Sequence, residues 1–221
     1  MDSYDVRNKM EYPEDIDRYS AIVMTGSAAS AYENLEWINQ LVAYIASVAE
    51  TKPNVKLIGI CFGHQIIGRA LGEDCVPNGG IWEVGPIPIQ LTETSKELFG
   101  GLHELNIQQM HRDHIPEVPA CCELLASSPI CKNQGFVRYA PGALSRTPKD
   151  IQIFTVQGHP EFTENIVRKI IDVRLSTGVI DQATADSARQ RAKWRNDGVG
   201  VIGKAIWQIL GATPLKVNED M

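Results

Sequence analysis

Cys61 is flanked by glycines in Gly59-Ile60-Cys61-Phe62-Gly63-His64-Gln65, and this segment lies between two apolar ones. Val55-Lys56-Leu57-Ile58 ahead of it reads as a buried strand, and Ile66-Ile67-Gly68-Arg69-Ala70-Leu71-Gly72 behind it as a short helix stopped by glycine. Gly-x-Cys-x-Gly between strand and helix is the cysteine form of a nucleophile elbow. The turn is sharp enough to require small neighbours, and it presents the thiol at a helix N-terminus, where free N–H groups and the dipole favour thiolate. An isolated cysteine is more often a small core residue. Here a second segment supplies the missing chemistry: Ile151-Gln152-Ile153-Phe154-Thr155-Val156-Gln157-Gly158-His159-Pro160-Glu161-Phe162. A thiol nucleophile needs a group that takes its proton and returns it to the leaving group, and histidine does this best near neutral pH. The imidazole in turn needs a carboxylate to set its tautomer and steady its charge. His159 and Glu161 are two positions apart, on one face of an extended segment, so both can aim at one site.

Other reactive groups carry less. His111, Asp113 and His114 are close in sequence, but no CxxC pattern accompanies them, and the adjacent Cys121-Cys122 does not suit a structural zinc motif. No metal and no cofactor is expected. A G-x-x-x-x-G-K-[ST] loop is absent, so an ATP-using synthetase step is not expected on this chain. The net charge of −6 provides no basic footprint for nucleic acid or for an anionic membrane surface. No run approaches the ~18–20 apolar residues of a membrane span. The start, Met1-Asp2-Ser3-Tyr4-Asp5-Val6, is polar and acidic, unlike a secretory signal or an Arg-rich transit peptide. Five cysteines do not make a disulfide framework, and a reducing, cytoplasmic setting is the simplest expectation.

The elements needed to hold such a site can be read in order. Ala21-Ile22-Val23-Met24 reads as a strand, followed by a helix from about Tyr32 to Ala49 with Leu35, Ile38, Leu41, Val42 and Ile45 on its apolar face. Between residues 76 and 140 lie short β-like runs, Ile87 to Leu91, Leu105 to Gln108, Glu123 to Ala126 and Gly135 to Tyr139, some of them expected to be antiparallel. Thr163 is placed to cap a helix to about Leu175, with Ile166, Ile170 and Ile171 inward. Asp181 is placed to cap another to Trp194, and Asp197 precedes a third containing Val201, Ile202, Ile206, Ile209 and Leu210. The order predicts one α/β domain over residues 1–212, with a mainly parallel sheet flanked by helices and a loose tail over 213–221. Cys61 and His159 each follow an apolar strand, so both fall at the carboxyl edge of the sheet, where sites of such folds lie.

Gly-Ile-Cys-Phe-Gly-His-Gln with Gln-Gly-His-Pro-Glu-Phe resembles the class I (triad) glutamine amidotransferase family, most nearly its free-standing branch of fungal proteins and plant γ-glutamyl peptidases. Ile22-Val23-Met24-Thr25-Gly26-Ser27, Ile81-Trp82-Glu83-Val84-Gly85 and Met110-His111-Arg112-Asp113-His114 are similar to it as well. The resemblance implies a flavodoxin-like architecture with Cys61 as nucleophile, His159 as general base and then acid, and Glu161 orienting it. It implies an oxyanion hole from the N–H groups of Phe62 and Gly26, a contribution of ~3–4 kcal/mol in acyl-transfer enzymes. Gln65 is expected either to hold the glutamyl end of a substrate or to cap the turn; His111 either contacts substrate or makes an ordinary structural hydrogen bond. Glu83 lines the same pocket or solvates a loop. The implied activity is acyl transfer from a γ-glutamyl group through a thioester. It has three forms: a glutaminase with or without an ammonia-accepting partner enzyme, a γ-glutamyl peptidase acting on glutathione-like compounds, or a non-catalytic module on the same fold. Members of the resembling family begin with a strand and a helix before the segment equivalent to Val6. A chain lacking them is expected to be less stable than a longer relative, a difference that thermal unfolding reads.

Overall fold

A computed structural model describes residues 1–212; the tail expected to be loose lies outside the described residues. Among the described residues, nine strands run in chain order as β1 (Ala21–Met24), β2 (Lys56–Ile60), β3 (Val76–Pro77), β4 (Glu83–Leu91), β5 (Glu104–His111), β6 (Asp113–His114), β7 (Glu123–Ser127), β8 (Gly135–Tyr139) and β9 (Ile151–Val156). The α-helices are α1 (Glu36–Thr51), α2 (Phe62–Ala70), α3 (Glu93–Leu98), α4 (Glu164–Ser176), α5 (Gln182–Gln190) and α6 (Lys204–Ile209).

Seven of the strands form one sheet in the order β1-β2-β9-β8-β7-β4-β5, while β3 and β6 make a separate antiparallel ribbon. The order is parallel across β1, β2 and β9 and antiparallel from β9 through β8, β7 and β4 to β5. The parallel part therefore holds the strands that lead to Cys61 and His159, and the runs between 76 and 140 supply the antiparallel part. Alternation sorts the core. Leu57 pairs with Ile153 and Ile58 with Phe154 in register. The first pair joins Ile38, Ile45, Ile66 and Phe136 beneath α1 and α2, and the second joins Leu105, Leu125, Ile202 and Ile209 on the opposite face. A third cluster, Val84, Met110, Val167, Ile171, Ala185 and Ala188, seats α4 and α5 against β4 and β5. At the edge, β1 has β2 as its only strand partner among the described residues, and Val23 is 47% exposed.

Three helix expectations shift. The helix expected from Tyr32 begins at Glu36, because a Ser30-to-Glu33 turn (Glu33 N donates to Ser30 O, 3.0 Å) leaves Leu35 extended and exposed. Thr163 caps α4 as expected, accepting from Ile166 N, but Val167 and Ile171 take the core positions and Ile166 is 40% exposed. The helix capped by Asp181 ends at Gln190 rather than Trp194. There Arg191 turns back to donate from Nε to Pro86 O (3.0 Å) and from Nη2 to Val84 O (2.8 Å), pinning the chain to β4. After Asp197 comes a π-helical turn, Gly198–Gly203, before α6.

Candidate active site

Cys61 carries the main strain of the fold. Its φ of 53° and ψ of −104° place a side-chain-bearing residue where few sit without cause. A Cβ on Gly59 would stand 2.7 Å from the Gly63 carbonyl carbon, and one on Gly63 would run into Met24 O, so both neighbours must be glycine for the turn to close. The turn is tied down from the other side: Cys61 N donates to Val156 O at 2.9 Å, joining the backbone of the elbow to the end of β9. Two residues beyond β9 lies Gly158, where a Cβ would meet Ile107 Cδ1 at 2.9 Å. Next comes His159, whose N donates to Gln108 O at 2.8 Å.

The imidazole is fixed on three sides. Its Nδ1 lies 2.8 Å from Glu161 Oε1, its ring stacks on Phe162 with centroids 3.9 Å apart and planes 4° from parallel, and Gly26 packs against Cε1. Burial disfavours its charge, but hydrogen bonding and negative charge at Cys61, and then at Glu161, outweigh burial and raise its pKa to about 9. Cys61 and His159 are buried, whereas the Glu161 side chain is 44% exposed. Among the described residues neither Phe62 N nor Gly26 N donates to another group, so both expected oxyanion donors are free. Phe162 is part of the motif read in the sequence, yet its role as the plate beneath His159 follows only from the folded geometry.

Gly26 allows a sharp test. A Cβ there would lie 2.7 Å from His159 Cε1, and the ring cannot yield without leaving Glu161 or Phe162. Gly26→Ala is expected to lower kcat/KM by about 100-fold through a displacement of the order of 1 Å, with little change in the urea unfolding midpoint. Near-normal activity would show that the ring has room to move.

Beyond the elbow, the other expected residues fall into two groups. Gln65 lies on α2 facing a cavity beside Cys61, and its Nε2 donates to Asp113 O (2.8 Å) and Gln157 Oε1 (3.1 Å). His111 ends β5 on the wall of the same cavity; its Nδ1 is 3.1 Å from Asp113 O and its Nε2 is 2.9 Å from Glu83 Oε2. Glu83 solvates no loop. It is 1% exposed, paired across β4 and β5 with His111, and accepts from Ser128 Oγ (2.6 Å) and Gln134 Nε2 (2.7 Å). His64 points away from the elbow into the core, bonded to Thr155 Oγ1 at 2.9 Å, and burial pushes its pKa down to about 3. Trp82 stands in a segment quoted from the sequence but without a role, and Arg174 of α4 escaped the reading; its guanidinium lies 4.9 Å from the indole centroid at the mouth of the site. The described residues hold no grouping of three or more His, Cys, Asp or Glu suited to a metal ion, and no helix among them is long and apolar enough to cross a membrane.

A strained cysteine at the carboxyl end of a parallel strand pair, facing a buried histidine held by a carboxylate, lies in an α/β fold whose structural neighbours are class I glutamine amidotransferases. The family model for glutamine amidotransferase class-I matches residues 2–171, and the chain belongs to that family. It is 37% identical over 194 residues to a glutamine amidotransferase-like protein of Schizosaccharomyces pombe, covering 86% of this chain and 73% of that one. It is 30% identical over 187 residues to gamma-glutamyl peptidase 3 of Arabidopsis thaliana, covering 81% and 70%. The fold is that of a glutamine amidotransferase of Thermotoga maritima, with a TM-score of 0.70 at 20% identity over 92% of this chain and 84% of that one.

Proposed function

We propose that this protein hydrolyses γ-glutamyl groups through a thioester on Cys61. The observation that carries this reading is the Cys61 elbow set against a His159 whose far nitrogen is held by Glu161. The thiolate attacks the γ-carbonyl, and the oxyanion is received by the N–H groups of Phe62 and Gly26. With a pKa of about 9, His159 enters the reaction protonated at pH 7, so it first donates to the departing nitrogen. In deacylation it takes a proton from water, which attacks the thioester and frees glutamate. Gln65 and His111 shape the wall of the glutamyl-side cavity, with their polar atoms engaged by Asp113, Gln157 and Glu83. No cofactor takes part. The nitrogen released is ammonia if the donor is glutamine, in which case a partner enzyme would accept it, and an amino acid or peptide if the donor is a γ-glutamyl peptide. Five unpaired cysteines support a reducing, cytoplasmic setting.

A glutamine-mimicking diazoketone tests this, because it alkylates only a thiol that is both activated and adjacent to a glutamyl pocket. Background should be low: burial pushes Cys75 and Cys131 up to about 12, and it raises Cys122 as well. One adduct at Cys61, lost in His159→Ala, is the expected peptide map. Absence of an adduct, or labelling scattered over the other cysteines, would instead favour a non-catalytic module.

A further inference from the structure

We infer that Arg174 recognises a carboxylate on the leaving side of the scissile bond. The substrate class is then a γ-glutamyl amino acid or short peptide with a free carboxylate beyond the departing nitrogen. This deepens the γ-glutamyl hydrolase reading and rests on it.

Two cavities meet at Cys61, and both are bordered by Ser27, Met110 and Arg174. The first has the charges that an amino acid's zwitterionic end requires. Asp113 accepts from Ser30 Oγ at 2.6 Å through Oδ2, while its Oδ1 has no hydrogen-bond partner among the described residues. Arg112 makes a loose ion pair with it, Nε 3.6 Å from that Oδ1, and its Nε likewise has no hydrogen-bond partner among the described residues. Ammonium and α-carboxylate of a glutamyl end fit these two groups. The second cavity is the leaving side, because it contains His159, the proton donor to the departing nitrogen. Among the described residues, Arg174 is its one cationic lining residue apart from His159.

Arg174 is unusual among the arginines of this region. Arg189 pairs with Asp172 and Asp186, and Arg195 pairs with Asp197. The guanidinium of Arg174 is half-buried and makes no hydrogen bond or ion pair with any described residue. It is held in place by the face of Trp82, and Arg112 stacks on the same ring at 5.5 Å. Burial works most against its cation; negative charge at Cys61 favours it, and the like charge of Arg112 opposes it, leaving its pKa below the ordinary arginine value. A guanidinium so fixed is prepared for a planar anion that no described residue supplies. Phe162, Ile170 and Met110 line the same cavity and offer apolar surface to the side chain of the departing residue. Glutamine, which releases ammonia, would leave all of this unused.

The test compares γ-glutamyl-alanine with its C-terminal amide, in the wild type and in Arg174→Gln. The wild type should favour the free acid by about 10- to 100-fold in kcat/KM, the range of a charge-assisted pair. Arg174→Gln should erase most of that preference, chiefly by raising KM for the acid, and Arg174→Lys should restore part of it. Equal losses on acid and amide would place Arg174 on the glutamyl α-carboxylate and overturn the inference. Binding to Cys61→Ala, measured calorimetrically, gives a reading that needs no turnover. The acid should bind at least tenfold more tightly than the amide; equal affinities, or no binding of either at millimolar concentration, would also overturn it. If the wild type releases glutamate from neither compound, the hydrolase reading fails, while the calorimetric comparison still decides the role of Arg174.

Discussion

His159→Ala is expected to lower kcat/KM for γ-glutamyl hydrolysis by about 10⁴-fold, the upper part of the range for a positioned acid–base group. The size of the effect follows from two duties falling on one ring. In the proposed reaction it protonates the departing nitrogen in acylation and activates water in deacylation, and among the described residues no second histidine lines the cavity on that side. Glu161→Ala should cost less, about 10- to 100-fold, because its carboxylate is half exposed and Phe162 still holds the ring in plane. The pH profile separates their roles. A pKa of about 9 means that the imidazolium is present through neutral pH and lost above it, so the wild-type profile should fall on the alkaline side near that value. Removing Glu161 removes one of the groups that raise the pKa, so the alkaline limb should move to lower pH. An unmoved limb in Glu161→Ala would mean that another group sets it.

Glu83→Ala is expected to destabilise the fold by roughly 3–5 kcal/mol, the cost of leaving partners of a buried charge uncompensated. Burial alone would raise the pKa of this carboxyl, but contacts from His111, Ser128 and Gln134 outweigh burial and hold it below the ordinary carboxylate value. The alanine would leave the imidazole of His111, the Ser128 hydroxyl and the Gln134 amide facing a void between β4, β5 and β7. For a domain of this size the melting temperature should drop by roughly 2–4 °C per kcal/mol. A carboxyl with a lowered folded pKa stabilises above its unfolded value and loses that contribution as pH falls through the folded one. The gap between wild type and Glu83→Gln should therefore narrow on acidification. Urea unfolding at pH 7 and again below pH 4.5, the ordinary carboxyl value from which the folded one is lowered, reads both effects, and a penalty under about 1 kcal/mol for the alanine would reduce the cluster to ordinary packing.

These two residues differ in how far the sequence discloses them. His159 and Glu161 are legible because the chemistry that joins them is local, two positions apart on an extended segment, and the elbow around Cys61 declares itself through glycines that only a close turn requires. The strands on either side are legible for a similar reason, since continuous apolar runs buried on both faces leave little else for them to be. Glu83 and His111 depend on register. Nothing in their own segments says that β4 and β5 pair them face to face, so each stays open between a wall and a loop until the sheet is known. Arg174 is further from view, because α4 reads as an ordinary amphipathic helix whose inward face is itself displaced by one residue, from Ile166 to Val167. Leu35 misled by spacing alone: it falls on the helical period of α1 but precedes the first turn.

Because Cys61 and His159 are brought together by one parallel strand pair, with Ile60 beside Val156, the site closes a long loop of chain. Such a contact is among the last that a folding chain gains, since the entropy of closing the loop is lost before any interaction repays it. Helices α1 and α4 are local structures and can form early. A chain emerging from denaturant would thus acquire helical signal and compactness while its thiol remained ordinary. The reactivity of Cys61 would then clock the final registration of β9 against β2, an internal timer for completion of the fold.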